Sequence, residues 1–279
     1  MTALKERRIF PVLNPKPLLK GFFTSLDISP ALVSRILYRH WLVFAKTWKA
    51  NIMFNFVEPV LYLWAMGFGL GVYVANIQGY SYLEFIAPGL IASSAMFATC
   101  YEATYDSYTR MSFHKIFYAI VSTPASMDDV VMAELIYGAL KSVLYGSVFL
   151  LVTVLFGLVK SWWVFLMPIP LFIGGLIFSS LSMVWTSMAP NYDAFNYFFT
   201  LIITPMFFLA GIFFPVNNLP AGVQAFSWLT PLYHEVEVIR NLFYGQINMA
   251  TLANFVWLTA AMLLLIRFPL VMVRNRLIQ

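Results

Sequence analysis

Several groups of ionisable residues lie in or beside long apolar runs, and their types and spacing bound the chemistry open to them. Glu58 precedes Pro59 inside one such run. A carboxylate at mid-helix in a bilayer costs about 2.5–3.5 kcal/mol on insertion scales, and the proline frees a backbone carbonyl that needs another partner. A polar contact within a helix bundle is the favoured role for Glu58; direct contact with a bound molecule is the alternative. Glu102 and Asp106 stand one helical turn apart, at a depth where Lys141 of the next run can meet them, which suits structural ion pairs better than a proton relay. His234, Glu235 and Glu237 have the types for a metal but not the spacing, since Glu235 and Glu237 diverge on a helix and no second histidine is near. The three histidines, His40, His114 and His234, fall in separate boundary regions and assemble no nucleophile–base pair or metal set. The one cysteine, Cys100, excludes an intrachain disulfide and a CxxC centre and reads as a small core residue. No Gly-x-x-x-x-Gly-Lys-Ser/Thr loop occurs, so the chain supplies no Walker-type ATP site. Catalytic and metal residues are therefore expected to be none.

The elements that must position these groups follow from composition. Of 279 residues, 61% are hydrophobic, 18% aromatic and 10% charged, with a mean hydropathy of +0.79, whereas soluble domains carry about 25% charged residues. The expected fold class is an all-α polytopic membrane protein, because hydrocarbon admits only segments that satisfy their own backbone. A spanning helix needs about 20 mostly apolar residues. Six stretches qualify, at about 52–74, 85–107, 135–159, 163–188, 195–214 and 252–273. A cleaved signal peptide is not expected, because the first apolar run begins only near Ile52 after a long basic segment.

Charge sets the orientation. Lys5, Arg7, Arg8, Lys16, Lys20, Arg35, Arg39, Lys46 and Lys49 precede the first span, Arg110 and Lys115 lie in the 108–133 loop, and Arg274 and Arg276 in the tail, against Lys160 and Arg240 on the other side. Lys and Arg accumulate on the cytoplasmic side, so both termini and the 108–133 loop are expected there. The net charge of +5 is then a matter of topology, and no nucleic-acid partner is implied.

Residues 1–29 form an N-terminal tail, followed by an amphipathic helix over 30–50 that opens at Ser29-Pro30, a capping hydroxyl before a proline at the first helical position. At about 100° per residue, Arg35, Arg39, Lys46 and Lys49 share an arc of roughly 80° opposite Val33, Leu37, Trp41, Phe44 and Trp48, the pattern of an interfacial helix on the inner leaflet. In the 108–133 loop, Phe113, Ile116, Phe117, Ile120 and Val121 recur at i, i+3, i+4, i+7, i+8, one apolar stripe on a short helix suited to a partner's groove. Ser126-Met-Asp-Asp129 reads as a capping box opening span three. Gly67, Gly69 and Gly71 make a small-residue ridge, for packing within the chain or at a seam between copies. The segment from Pro205 through Pro220 to Gly245 is too polar to cross a bilayer and too apolar for an ordinary loop. It reads as an extracytoplasmic re-entrant or interfacial helical hairpin (215–249) between spans five and six. Phe195, Phe198, Phe199, Met206, Phe207 and Phe208 give span five a flexible aromatic lining fit for acyl chains or simply for facing lipid.

Four runs carry a family resemblance: Phe85-Ile-Ala-Pro-Gly-Leu-Ile-Ala-Ser-Ser-Ala-Met96, Tyr101-Glu102, Ser107-Tyr-Thr-Arg-Met111, and Ile120-Val-Ser-Thr-Pro-Ala-Ser-Met-Asp-Asp-Val-Val-Met-Ala-Glu134. They resemble permeases of the ABC-2 type, most of all the nodulation-protein-J-like branch associated with lipo-oligosaccharide export. Gly211-Ile-Phe-Phe-Pro215, Leu219-Pro220 and the Pro231 to Arg240 spacing are similar to that family's segment between its last two spans. The likeness covers about residues 30–275, and makes 51–279 the transmembrane domain.

The resemblance implies six spans per subunit and a homodimer in the cell inner membrane, with two copies of a separate ABC ATP-binding subunit that hold the ATP and Mg; this chain holds no cofactor. It implies an exporter of an amphipathic, lipid-like or glycolipid-like substrate, with Phe113, Ile116, Phe117, Ile120 and Val121 on the coupling helix and 30–50 supporting it. Glu58, Phe198, Met206 and Phe207 would line a pathway between subunits, and Pro215, Pro220, Pro231 and Arg240 would belong to an outer gate. A multidrug or hydrophobic-compound exporter is the alternative. A proton-driven secondary transporter ranks lower, because it would need midplane acids at matched positions of inverted repeats, and the halves show no such repeat.

Overall fold

The computed structural model describes residues 26–74 and 76–277, without the side chains of 50–56, 58, 59 and 68. Among the described residues it is helical throughout, with one isolated bridge, Ile77 to Tyr80. Helix α1 (Pro30–Gly69) starts where the sequence places it, with Ser29 as N-cap and Pro30 at the first position, yet the Ser29 hydroxyl makes no capping bond. Instead the Ser29 backbone N–H donates to Asp129 Oδ1 at 2.6 Å. No break separates the expected interfacial stretch from the expected first span. Its 40 residues run about 60 Å at 1.5 Å per residue, twice the hydrocarbon thickness of about 30 Å. Glu58 falls on this helix, but its side chain lies outside the described residues.

Helix α2 (Tyr82–Phe113) opens on a capping box between Ser81 and Glu84 and contains two widened π turns, Glu102–Asp106 and Thr109–Phe113. A short α3 (Ile116–Val121) leads to α4 (Met127–Leu155), whose Ser126/Asp129 capping box forms as its sequence requires. Then come α5 (Pro168–Met188), α6 (Asp193–Leu209), α7 (Ala221–Leu229), α8 (Pro231–Tyr244), α9 (Met249–Leu265) and α10 (Arg267–Leu277). Among the described residues, four helical stretches are long and apolar enough to cross a membrane: Tyr82–Phe113, Met127–Leu155, Pro168–Met188 and Met249–Leu277. They coincide with expected spans two, three, four and six. Helices α1 and α6 occupy the places of the first and fifth. In α6 a widened turn, Phe199–Ile203, precedes Pro205, whose ring and missing N–H disturb the turn before it.

The closest approach is between α4 and α5, and it rests on small residues. Gly138, Ser142 and Gly146 recur every four positions on α4 and meet Leu171, Gly175 and Ser179 on α5. A Cβ at Gly175 would stand 2.7 Å from Ala139 Cα and 2.7 Å from Ser142 Cβ, so the two backbones touch there, as small residues allow in lipid where apolar burial drives nothing. Ser142 Oγ donates to Leu171 O at 2.8 Å, Thr99 Oγ1 to Gly138 O at 3.0 Å and Thr186 Oγ1 to Ala103 O at 2.8 Å. The ridge read from the sequence does less. Gly67 sits on Leu83 of the same chain, Gly69 faces open space, and Gly71 follows the end of α1.

Gly175→Ala is expected to cost about 1–3 kcal/mol through overpacking, read as a lower midpoint in thermal unfolding of the detergent-purified protein. Gly69→Ala should leave that midpoint unchanged or slightly raised; equal effects at both sites would refute the seam.

Candidate functional site

At the end of the bundle where α1 begins and α10 finishes, α3 is clamped from three sides. Lys115 adopts a left-handed conformation (φ 53°) that turns the chain out of α2 and starts α3 only at Ile116. Phe117 is fully buried, 0% exposed, in a cluster with Val33 and Ile36 of α1, Met111 of α2, Val130 of α4 and Leu270 of α10. The root of α4 is latched to the root of α1: Ser126 Oγ donates to Asp27 O at 2.5 Å, and Asp27 N–H to Asp128 Oδ2 at 3.2 Å. Arg274 of α10 approaches the same Asp128 oxygen at 3.4 Å.

The single stripe expected over 113–121 is therefore divided. Phe113 belongs to the last wide turn of α2 and is 73% exposed; Tyr118 (46%) and Val121 (38%) also face outward. Ile116 and Ile120 are half-buried. Phe117 is the anchor, and Phe113, Tyr118 and Val121 form the free apolar surface.

Directly above lies a buried charge cluster. Arg110 Nη2 reaches Glu102 Oε1 at 2.7 Å and Glu134 Oε2 at 2.5 Å, while its Nε donates to Glu134 Oε1 at 3.1 Å. Lys141 Nζ pairs with Glu102 Oε2 at 3.0 Å, and His40 Nε2 of α1 stands 3.2 Å from Glu134 Oε1. Ser107 Oγ donates to Glu134 Oε2 at 2.7 Å. Both glutamates are buried, so the fork geometry of the guanidinium satisfies them where water does not reach. The π turns bring this about: with wider turns, eight residues make about two full turns, stacking Arg110 over Glu102. The expected Glu102–Lys141 contact is present, but Asp106 is exposed and forms no ion pair. With every carboxylate of the cluster engaged, the arrangement braces α1, α2 and α4.

Arg110, Glu134 and His40 carry this cluster, and reasoning from sequence gave them no such role. Arg110 was counted as a loop charge because α2 was expected to end near 107. The available signal was a balance of opposite charges, Glu102 and Glu134 against Arg110 and Lys141, within neighbouring apolar runs.

Along one side of the bundle the aromatic rings form a continuous column. Tyr192 meets Tyr105 (6.4 Å between centroids), Tyr105 meets Phe199 (6.0 Å), and Phe199 meets Tyr101 (4.7 Å). Tyr101 then meets Phe97 (6.4 Å), Phe97 meets Phe207 (5.6 Å), and Phe207 meets Phe213 (5.3 Å). Phe207 belongs to this column. Phe198 and Met206 instead point into the core of the chain.

At the opposite end, α7 and α8 form the hairpin. Pro215 starts a 3₁₀ turn, Pro220 precedes α7, and Pro231 is the first residue of α8. Arg240 is buried over the Phe85 ring (4.4 Å) and donates to Gly211 O at 2.6 Å. His234 braces α8: Nδ1 meets Asn254 Oδ1 and Nε2 meets Trp228 O, both at 2.7 Å, and the ring stacks on Trp257. Both ring nitrogens are thereby used. Glu235 is buried with neither carboxyl oxygen hydrogen-bonded, against Gly174 of α5.

Comparison with known proteins agrees with this architecture. Residues 31–244 match the ABC-2 type transporter family. The chain is 39% identical over 209 residues to Nodulation protein J of Rhizobium leguminosarum bv. viciae, covering 75% of this chain and 80% of that protein. It is 38% identical over 209 residues to Nodulation protein J of Rhizobium meliloti (strain 1021), covering 75% and 79%. It is 24% identical over 215 residues to the Inner membrane transport permease YadH of Escherichia coli (strain K12), covering 76% and 82%.

Arg110→Leu leaves Glu134 with only Ser107 and His40 and Glu102 with only Lys141, and is expected to cost about 3–5 kcal/mol, measured by denaturation in detergent. The double variant Arg110→Leu/Glu134→Leu should recover part of that loss; additive losses would mean that the two side chains are not coupled.

Proposed function

The chain belongs to the ABC-2 type transporter family, and on that premise we propose that it is the permease half of an ATP-driven exporter. It is a multi-pass membrane protein and a non-catalytic transmembrane subunit, and the family implies an ABC ATP-binding subunit as partner. In the proposed reading, two copies of the chain pair in the inner membrane and associate with two ATPase subunits, which carry ATP and Mg. Both termini and α3 face the cytoplasm. Helices α1 and α6 serve as the first and fifth of six spans, and α7–α8 form a re-entrant hairpin on the outer side.

The observation that carries this reading is the split surface of α3. A short helix whose exposed apolar side chains (Tyr118, Val121) adjoin Phe113 at the end of α2, with one fully buried anchor (Phe117), suits an element that receives a push from outside and passes it inward. Movement of the ATPases against that face would displace α3 together with the roots of α1, α4 and α10, to which it is clamped. The two subunits would then change their packing and open the path outward.

The proposed cargo is an amphipathic molecule with an acyl-type tail, a lipo-oligosaccharide being the case that the nodulation-type relatives favour. The aromatic column from Tyr192 to Phe213 supports this, as an apolar, stackable track along the length of the bundle. Glu102 and Glu134 are held by Arg110 and Lys141, which leaves neither free to relay a proton.

The test is affinity purification of the tagged chain in mild detergent with its ATPase. Phe113→Asp combined with Tyr118→Asp should lower ATPase recovery at least tenfold while leaving membrane insertion and elution volume unchanged. Phe117→Ala should act first on thermal stability, by about 3–5 kcal/mol. Full recovery of vanadate-sensitive hydrolysis with the double variant would remove α3 as the docking element.

A further inference from the structure

Three segments of the hairpin end converge on a polar cavity of about 420 Å³, within the range of small-molecule clefts. The first is the tight turn at Gln78 and Gly79, both at positive φ, closed by reciprocal backbone bonds between Ile77 and Tyr80; two such residues in sequence make a primed turn. The second is the 3₁₀ turn after Pro215. The third is the outward face of α8. Tyr80 stacks on Tyr244 (3.7 Å between centroids, 3° between planes), and Gln246 Nε2 donates to the Tyr80 hydroxyl at 2.9 Å, so one wall is fixed.

The lining is unusual for a protein this apolar. Asn217, Asn241 and Tyr233 present amide and phenol groups, which both donate and accept. The lining contains one cation and one anion, Arg240 and Glu237, and they pair at 2.5 Å. The buried Arg240 keeps one donor, Nε, without a partner, although a buried donor of this kind is expected to be satisfied. The Tyr233 and Tyr244 phenols are both protonated at neutral pH; the Tyr244 hydroxyl donates to Glu84 O at 3.1 Å, which leaves Tyr233 as the one of the two that can serve a ligand.

We infer that this cavity binds a neutral, hydroxyl-rich group, a short saccharide. An anion finds no uncompensated positive charge there, and an apolar group would leave the amides unpaired at a cost of about 1–3 kcal/mol each. Hydroxyls that donate and accept at once satisfy both kinds of partner. The position fits an amphipathic ligand as well: the aromatic column ends at Phe213, two residues before Pro215 of the cavity rim, so a tail on the column sets a head group at the cavity. The inference deepens the export reading and rests on it for the outward orientation of this face; binding itself requires neither nucleotide nor ATPase.

The experiment uses the full chain in lipid nanodiscs without nucleotide, titrated with neutral tetrasaccharides of glucose and of N-acetylglucosamine, and with inorganic phosphate as the anionic probe, read by calorimetry and saturation-transfer NMR. At least one tetrasaccharide is expected to bind, with affinity reduced about tenfold or more by Asn241→Ala and by Asn217→Ala, a change on an exposed turn that leaves the fold intact. Phosphate should neither bind nor compete. Absence of saccharide binding to the unaltered chain, undiminished binding in both variants, or displacement of saccharide by phosphate would each overturn the assignment. A failure of ATPase recovery with the α3 variants leaves this binding result untouched, so the two readings fail separately.

Discussion

Everything near α3 depends on the cost of placing charge where water cannot follow. Glu102 and Glu134 are buried among helices read as spanning a membrane, and a single guanidinium, Arg110, holds both. That demand shapes backbone as well as side chains. Two wide turns in α2 line Arg110 up with Glu102, α4 is fixed by Glu134 and Lys141, and α1 is drawn in through His40. Unlike apolar contacts, which slide at small cost, a bidentate pair in low dielectric is strongly directional. The helices joined by it move together or not at all.

Beneath that brace, α3 is held by shape. Phe117 belongs to a buried cluster drawn from α1, α2, α4 and α10, and the hydrogen bonds between Asp27 and the Ser126–Asp128 corner close the latch. A docked partner would thus meet a surface continuous with the core. The clamp also explains why the α4 root contains acidic residues in an otherwise basic region. Asp128 and Asp129 serve the α4 N-terminus, where carboxylates offset the unpaired amides, and at the same time bind α1 and α10.

Much of the architecture was legible in the sequence because hydrophobic length and capping chemistry are local. Spans two, three, four and six, the Ser126/Asp129 box and the Ser29-Pro30 start all follow from residues within a few positions of one another. The split of the 113–121 stripe was not legible, because it turns on Lys115 taking a left-handed conformation that no side-chain pattern announces. Arg110 was misplaced for a related reason: π turns extend α2 through Phe113 without any change in hydrophobic period. The Gly67–Gly71 ridge was conspicuous as a motif, whereas the small residues of the α4–α5 seam are divided between two helices, Gly138, Ser142 and Gly146 on one and Gly175 and Ser179 on the other, and become visible only when the two are brought together. Phe198 and Met206 carry the right chemistry for a track, but both are buried in the core, a facing that composition alone does not reveal.

Helix α6 is short for the place it occupies. At 1.5 Å per residue its 17 residues, Asp193–Leu209, rise about 26 Å, against a hydrocarbon slab of about 30 Å. As a span it leaves the surrounding lipid to make up the mismatch, and bilayers do so by thinning locally at a cost of fractions of a kcal/mol per Å. The aromatic column runs along this same helix. If α6 spans as proposed, a bilayer dimpled beside the column brings its two headgroup layers closer together there, and so shortens the apolar stretch that the polar group of the proposed cargo must traverse.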